Sequence, residues 1–332
     1  MNRSHFFASW LVGGLLVACG GTVDESGTED PGRLGSTESQ VIVGSVDWSS
    51  ATSLTGTKAQ VAQAVGYLSI PAKGSRCTAW LASQDIVITN NHCIATASEA
   101  VGARVSFNYN DNVSSTARVW YDCSTLVKTW ANLDMTALRC APRNNQLPGQ
   151  VQGYLRVASA DAATGSSVYM IHQNCDSYTT PNCTPTKKHS PGVILKGSYT
   201  STDTSYDADT LGGSSGSPVL AENGHEVVAL HHLAWNGDPN GRGTHNSGVR
   251  ASLVRAALLD IDIGCPVYQG TTCYWQDLHD TGTWSDWCFV PATWATTFEA
   301  CYQMDSCYGG LGYSGGGCYK WASSSEASRT PW

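Results

Sequence analysis

From about residue 62 the apolar residues come in short runs, and this limits the fold more than anything else in the sequence. Val65 to Ile70 is one run and Cys77 to Ser83 a second. Asp85-Ile86-Val87-Ile88-Thr89 is a third, leading into Asn90-Asn91-His92-Cys93, and Val168 to Ile171 is another. Pro218-Val219-Leu220 and Glu226 to Leu230 flank Asn223-Gly224, a hairpin signal. Short strands at this spacing predict an all-β fold of barrel or sandwich type. Charged residues make up only 14% of the chain and there are 34 glycines, which suits many turns better than long helices. One helix is predicted over Arg250 to Leu259, with Leu253, Ala256 and Ala257 on one face, and it closes the folded region at about 262.

The ends of the chain read differently. Residues 1–19 form an export signal: Arg3 is followed by an apolar run from Phe6 to Ala18, too short to span a bilayer. The run ends Leu16-Val17-Ala18-Cys19-Gly20, which resembles a bacterial lipoprotein signal with Cys19 as the lipidated residue; an ordinary cleaved signal peptide is the alternative. Residues 20–40 are polar and acidic and bury too little to order themselves, so they read as a disordered tether or a propeptide. Folding starts at Val41-Ile42-Val43-Gly44-Ser45. Of 13 cysteines, setting Cys19 aside leaves 12, an even number that reads as disulfides in an exported chain. By proximity Cys77 pairs with Cys93, Cys123 with Cys140 and Cys175 with Cys183. The other six (Cys265, Cys273, Cys288, Cys301, Cys307, Cys318) fall in residues 265–332, together with six of the 12 tryptophans. That density predicts a small disulfide-stapled module. Its tryptophans fill a core or, if exposed, serve a cell-surface or polysaccharide ligand.

Three segments carry chemistry. Asp209-Thr-Leu-Gly-Gly-Ser-Ser-Gly-Ser-Pro218 holds serines between glycines. This is either a Gly/Ser surface loop or a turn that presents a nucleophile beside backbone N–H groups. His92 lies between two cysteines whose bond would fix its loop; a histidine there is a surface residue or a general base. Asp134 opens the apolar run Met135 to Leu138, where a carboxylate caps a turn or orients a histidine. No Cys-x-x-Cys or His-Glu-x-x-His spacing points to a metal, and His231-His232 would face opposite sides of a strand. No cofactor motif is present. A net charge of −8 gives no basic surface for nucleic acid.

CTAWLASQDIVITNNHC, LDMTAL and DTLGGSSGSPV occur in the order His, Asp, Ser. Together they resemble the chymotrypsin-like (trypsin-like) serine peptidases, especially the bacterial glutamyl-endopeptidase-like branch, over about 62–262 within a peptidase domain of 41–262. The resemblance implies two antiparallel β-barrels with the active site between them. It makes Ser215 the nucleophile, His92 the base and Asp134 its orienting carboxylate, with the N–H groups of Gly213 and Ser215 as the oxyanion hole. Ser214 and Asn91 depart from the animal enzymes, which carry aspartate and alanine there. The specificity pocket divides the reading. Thr210 and His231 match positions used by glutamyl endopeptidases, whose mature chains also begin with a sequence like Val41-Ile42-Val43. Asp209, six residues before Ser215, stands where trypsin-like enzymes bind Lys or Arg. The expected protein is thus an exported serine endopeptidase acting on proteins or peptides, held at the cell envelope through its N-terminal lipid or secreted after processing. The alternative is a catalytically inactive lipid-anchored binding protein on the same fold.

Overall fold

The computed structural model describes residues 41–180, 182–259 and 261, and the backbone of six short strands between 267 and 322. Up to Arg139 the strands are β1 (Ile42–Val43), β2 (Ser49–Ser50), β3 (Val65–Ile70), β4 (Ser75–Leu81), β5 (Ile86–Thr89), β6 (Arg104–Ser106), β7 (Tyr121–Asp122), β8 (Thr125–Trp130) and β9 (Met135–Arg139). Beyond it come β10 (Ser167–Asn174), β11 (Thr186–Lys196), β12 (Asp203–Tyr206), β13 (Pro218–Ala221), β14 (Val227–Trp235), β15 (Arg242–Gly243) and β16 (His245–Arg250). The helices are α1 (Gly56–Gln63), α2 (Pro148–Gln152) and α3 (Ala251–Leu259). The fold is all-β with a short helix at its C-terminal side, as the strand-and-turn pattern requires. α1 and α2 had no sequence signal: α1 has no apolar stripe and buries only Ala62, and α2 is one turn begun by Pro148.

Fourteen of these strands form two antiparallel sheets of seven, and β1 and β15 form a separate pair. The second runs β10-β13-β14-β16-β12-β11-β2, and β10 also pairs with β11, so six of its strands close into a barrel. The first runs β7-β6-β3-β4-β5-β9-β8 and curls into a half-barrel, because the edge strands β7 and β8 do not pair with each other. Apolar side chains are buried on both faces of each sheet, so that neighbours in a strand such as Tyr169 and Met170 are both covered. Trp80, Leu68, Ile86 and Ile88 fill one half, and Tyr169, Met170, Leu230 and Val249 the other, all fully buried. Each such side chain contributes about 1.5–3 kcal/mol relative to leaving it in water. Lys187 of β11 ties the halves together: its Nζ donates to the carbonyls of Ala62 and Phe107, both at 2.6 Å. Burial pushes this ammonium down to about 7.

Three disulfides join Cys77 to Cys93, Cys123 to Cys140 and Cys175 to Cys183, which suits an oxidising compartment. No helix among the described residues is long and apolar enough to cross a membrane. Cys19 and the tether lie outside the described residues, as do the side chains of the C-terminal cysteines and tryptophans. In that region the backbone forms a two-stranded sheet, Val267–Tyr268 with Thr271–Thr272. It also forms a four-stranded one from Tyr274–Asp277, Asp286–Phe289, Gly317–Ala322 and Leu311–Ser314, in that order.

Candidate active site

β4 organises the site, because it grips two of the three chemistry-bearing segments. Thr78 N donates to Ser215 O at 2.8 Å, and Thr78 Oγ1 donates to Gly213 O at 2.8 Å. Arg76 Nη2 donates to Gly212 O at 2.9 Å. Between Arg76 and Thr78, Cys77 is bonded to Cys93, the residue after His92. The serine loop and the histidine loop are therefore fixed to adjacent residues of one strand. Gly216 must be glycine for this contact. Its φ is +83°, and a Cβ would fall 2.4 Å from both Thr78 O and Thr89 Oγ1.

His92 and Asp134 meet as the sequence order suggested. His92 Nδ1 lies 2.7 Å from Asp134 Oδ2, and the His92 backbone N–H donates to Asp134 Oδ1 at 2.8 Å. Asp134 is left-handed, at φ 44°, in the tight turn between β8 and β9. Its carbonyl accepts from Asn90 Nδ2 at 2.9 Å, so both ends of the residue are clamped. Burial raises its pKa, but the neighbouring imidazoles of His232 and His92 outweigh that and hold the carboxyl well below the usual carboxylate range. The His92 side chain is 19% exposed, and Ser215 is 6% exposed.

The neighbouring serines are committed elsewhere. Ser190 Oγ donates to Asp209 O at 3.0 Å, so His172 Nε2, 2.8 Å from Ser190 Oγ, carries the proton and donates to it. His172 Nδ1 is then the acceptor for the Ser214 hydroxyl at 2.7 Å. This needs a neutral imidazole, and burial pushes His172 down to about 3. Ser217 Oγ donates to Ser214 O.

Of the residues read as a specificity pocket, Asp209 and Thr210 are docked against the start of the folded chain. β1 pairs in parallel with β15, and Val41 and Ile42 are buried. Asp209 accepts from Val43 N at 2.8 Å and Asp47 N at 3.0 Å, so its carboxylate is occupied by backbone. Burial, with Asp47 nearby, pushes this carboxyl up to about 6. Thr210 Oγ1 donates to Asn246 Oδ1 at 2.8 Å. Asn246 in turn holds Val41, accepting from its N–H at 3.3 Å and donating to its carbonyl at 2.9 Å. Tyr206 Oη donates to Ser247 O at 3.0 Å, so His231 Nδ1, 2.7 Å away, donates to Tyr206 Oη. His231 Nε2 is buried with no hydrogen-bond partner. Burial first, then His232, His172 and His92, holds this ring well below the usual imidazole range.

His172, Asn246, His232 and Asp203 were not singled out by the sequence. Only His232 carried a hint, as the neighbour of His231. Among the described residues, Cys77, His92 and Cys93 are the one cluster spaced for a metal. Two of these are disulfide sulfurs, which leaves no thiolate to ligate.

Comparison with known proteins gives similarities to set beside this geometry. A curated relative, the secreted RxLR effector protein 73 of Plasmopara viticola, is 34% identical over 176 residues, covering 49% of this chain and 42% of its own. The chain thus spans about two fifths of that relative's length. A Glu endopeptidase structure in complex with MPD superposes with a TM-score of 0.48 at 21% identity, covering 64% of this chain and 94% of that one. An inactive, serine-to-alanine form of the Rv3671c protease from M. tuberculosis H37Rv superposes with a TM-score of 0.45 at 19% identity, covering 69% and 100%. Residues 77–230, which hold the histidine, aspartate and serine segments, match the trypsin-like peptidase domain.

Proposed function

We propose that this protein is an exported serine endopeptidase. Ser215 Oγ attacks the scissile carbonyl while His92 takes its proton. His92 then delivers that proton to the leaving amine, and the acyl-enzyme is hydrolysed by water with the same histidine as base. Asp134 fixes the His92 tautomer, with Nδ1–H facing the carboxylate and Nε2 left to work. The N–H groups of Gly213 and Ser215 stabilise the oxyanion. The observation that carries this reading is the double grip of Asp134 on His92, through Nδ1 at 2.7 Å and the backbone N–H at 2.8 Å. The anchoring of the serine loop to the strand disulfide-linked to His92 supports it. The Ser214 hydroxyl given to His172 and the Ser217 hydroxyl given to a backbone carbonyl argue against either of these two as the nucleophile.

For specificity, the occupied Asp209 carboxylate favours the acidic reading over the basic one. Asp209 is 1% exposed and each of its oxygens already accepts a backbone N–H, so a lysine or arginine would have to open this buried packing to reach it. After cleavage behind Gln40, an acidic side chain would meet the amine of Val41 held at Asn246, and it would meet His231 Nε2 as a donor only once its own negative charge draws a second proton onto that ring. Cys19 lipidation would anchor the precursor, and that cleavage would release it. The 41–262 region is the peptidase domain and 265–332 a separate module for a cell-surface or polysaccharide ligand. The test is peptide-library hydrolysis by the processed protein. Ser215→Ala should abolish turnover, and His231→Ala should erase a preference for Glu or Asp before the cut. Turnover retained in Ser215→Ala overturns the assignment. Cleavage after Lys or Arg that disappears in Asp209→Ala overturns the acidic reading.

A further inference from the structure

A fully buried histidine is costly unless both ring nitrogens find partners. His232 is 8% exposed, and its surroundings are unusual. In the pairing of β14 with β16, His231 stands opposite Gly248 and Leu233 opposite Ser247, so His232 is the extra residue of a bulge. Bulges redirect side chains, commonly beside active sites. Here the ring is delivered between two carboxylates. Nε2 lies 3.0 Å from Asp203 Oδ2, a hydrogen bond. Nδ1 lies 3.4 Å from Asp134 Oδ2, an ion-pair contact in which this nitrogen makes no hydrogen bond, so charge rather than a shared proton joins the two groups. That Asp134 oxygen is the one facing His92 Nδ1. Asp203 is itself fixed, by Thr202 Oγ1 at 2.7 Å and Ser247 Oγ at 3.3 Å.

We propose that His232 is a positioning residue for catalysis: a protonated imidazole that links Asp203 to Asp134 and holds Asp134 ionised and aimed at His92. The proposal rests on the serine-peptidase reading. With His232 charged, Asp203, His232 and Asp134 together carry one negative charge in a buried space. With it neutral they would carry two, and one carboxylate would take up a proton. A protonated Asp134 could no longer stabilise the imidazolium that His92 becomes when it accepts the serine proton. The electrostatics agree. Burial alone would lower His232, but Asp134 and Asp203 outweigh it and push it up to about 9. The other ionisable groups around it are His92 across the Asp134 oxygen, His231 on its own strand, and Tyr206 beside Asp203. Both His231 and Tyr206 are held neutral by burial.

The test uses the full, processed chain in two arms. In the first, the His232 ring is followed by NMR against pH in the Ser215→Ala protein, independently of turnover. It should stay protonated to about pH 9, and a neutral ring at pH 7 overturns the proposal. In the second, peptide hydrolysis is measured against pH. The wild type should lose activity on the alkaline side as His232 deprotonates. His232→Gln, neutral throughout, should lower kcat about 10–100-fold with little change in KM. It should also move the acid limb up by about 1–2 pH units, because a positive charge near His92 is gone. Asp203→Asn should move the alkaline limb down, which keeps the test decisive should His232→Gln misfold. An unchanged profile in both variants overturns the proposal and leaves the peptidase reading standing. A wild type that neither hydrolyses peptides nor reacts with a serine-directed phosphonate overturns the peptidase reading, and the positioning role falls with it.

Discussion

Gly216→Ala is expected to damage catalysis far more than Gly224→Ala, although the two glycines have nearly the same positive φ. Their φ values are +83° and +86°, so alanine pays the same left-handed penalty at each, about 1–2 kcal/mol. The difference lies in what the new methyl group meets. At Gly224, in the turn between β13 and β14, nothing lies within 4 Å. At Gly216 it lands 2.4 Å from Thr78 O and from Thr89 Oγ1. Those two atoms are already bonded to each other at 2.9 Å, so neither can swing away cheaply. A normal carbon–oxygen contact is about 3.3 Å or more, so the serine loop must lift by roughly 1 Å. Overpacking of this kind costs a further 1–3 kcal/mol or so, giving about 2–5 kcal/mol in all at Gly216 against about 1–2 at Gly224. A shift of about 1 Å at the nucleophile costs on the order of 100-fold in rate. The assay is paired: denaturant unfolding for stability, and the rate of peptide hydrolysis for geometry. Gly224→Ala should lose a little stability and keep its rate, whereas Gly216→Ala should lose both. Equal effects on rate, or an unimpaired rate in Gly216→Ala, would refute the claim that β4 sets the position of Ser215.

Further expectations follow from the same geometry. Replacing Cys77 and Cys93 with serine opens a loop of 16 residues and should cost about 3 kcal/mol on loop-entropy grounds. In calorimetry that is a fall in Tm of about 6–12 °C for a domain of this size. His232 is raised to about 9 from an ordinary 6.5, so its stabilising contribution is complete below pH 6.5 and is lost as pH rises through 9. The midpoint of urea unfolding should fall over that window, and the Asp203→Asn protein should show a smaller fall. Asp134 and Asp203 are both held low, so they stabilise above their ordinary range near pH 4 and lose that contribution on further acidification, which the same titration reads. Asn246→Ala removes partners from Val41, Thr210 and Ala208 in a buried place. It should cost about 2–4 kcal/mol and weaken any preference for acidic substrates before it abolishes hydrolysis.

The parts of the site that were legible are those with local signals. His92 follows an apolar strand and precedes a cysteine, Asp134 opens another strand, and Ser215 sits among glycines, so each segment announces itself within about ten residues. Strand runs and turn residues likewise gave the all-β class, the hairpin around Asn223-Gly224 and the closing helix. What escaped depends on contacts between distant strands. His172 reaches Ser214 across 42 residues, and Asn246 reaches Val41 across 205. Barrel closure, not local pattern, brings them together. The adjacent pair His231-His232 shows the limit most clearly. Strand alternation sends one ring inward and the other out, yet both are buried, because the bulge at His232 and the carboxylate of Asp203 give the second ring a partner. Asp209 shows the converse: its place before the serine suggested a pocket carboxylate, but the backbone of residues 43 and 47 occupies it.

In the proposed mechanism Ser215 is a nucleophile activated by His92. Treating the processed protein with an organophosphonate and mapping the adduct by mass spectrometry tests it most directly. A single phosphonyl group on Ser215, lost in Ser215→Ala and slowed strongly in His92→Ala, is the expected result. A folded, processed protein that stays unlabelled, or that carries the label on Ser214 or Ser217, would contradict it.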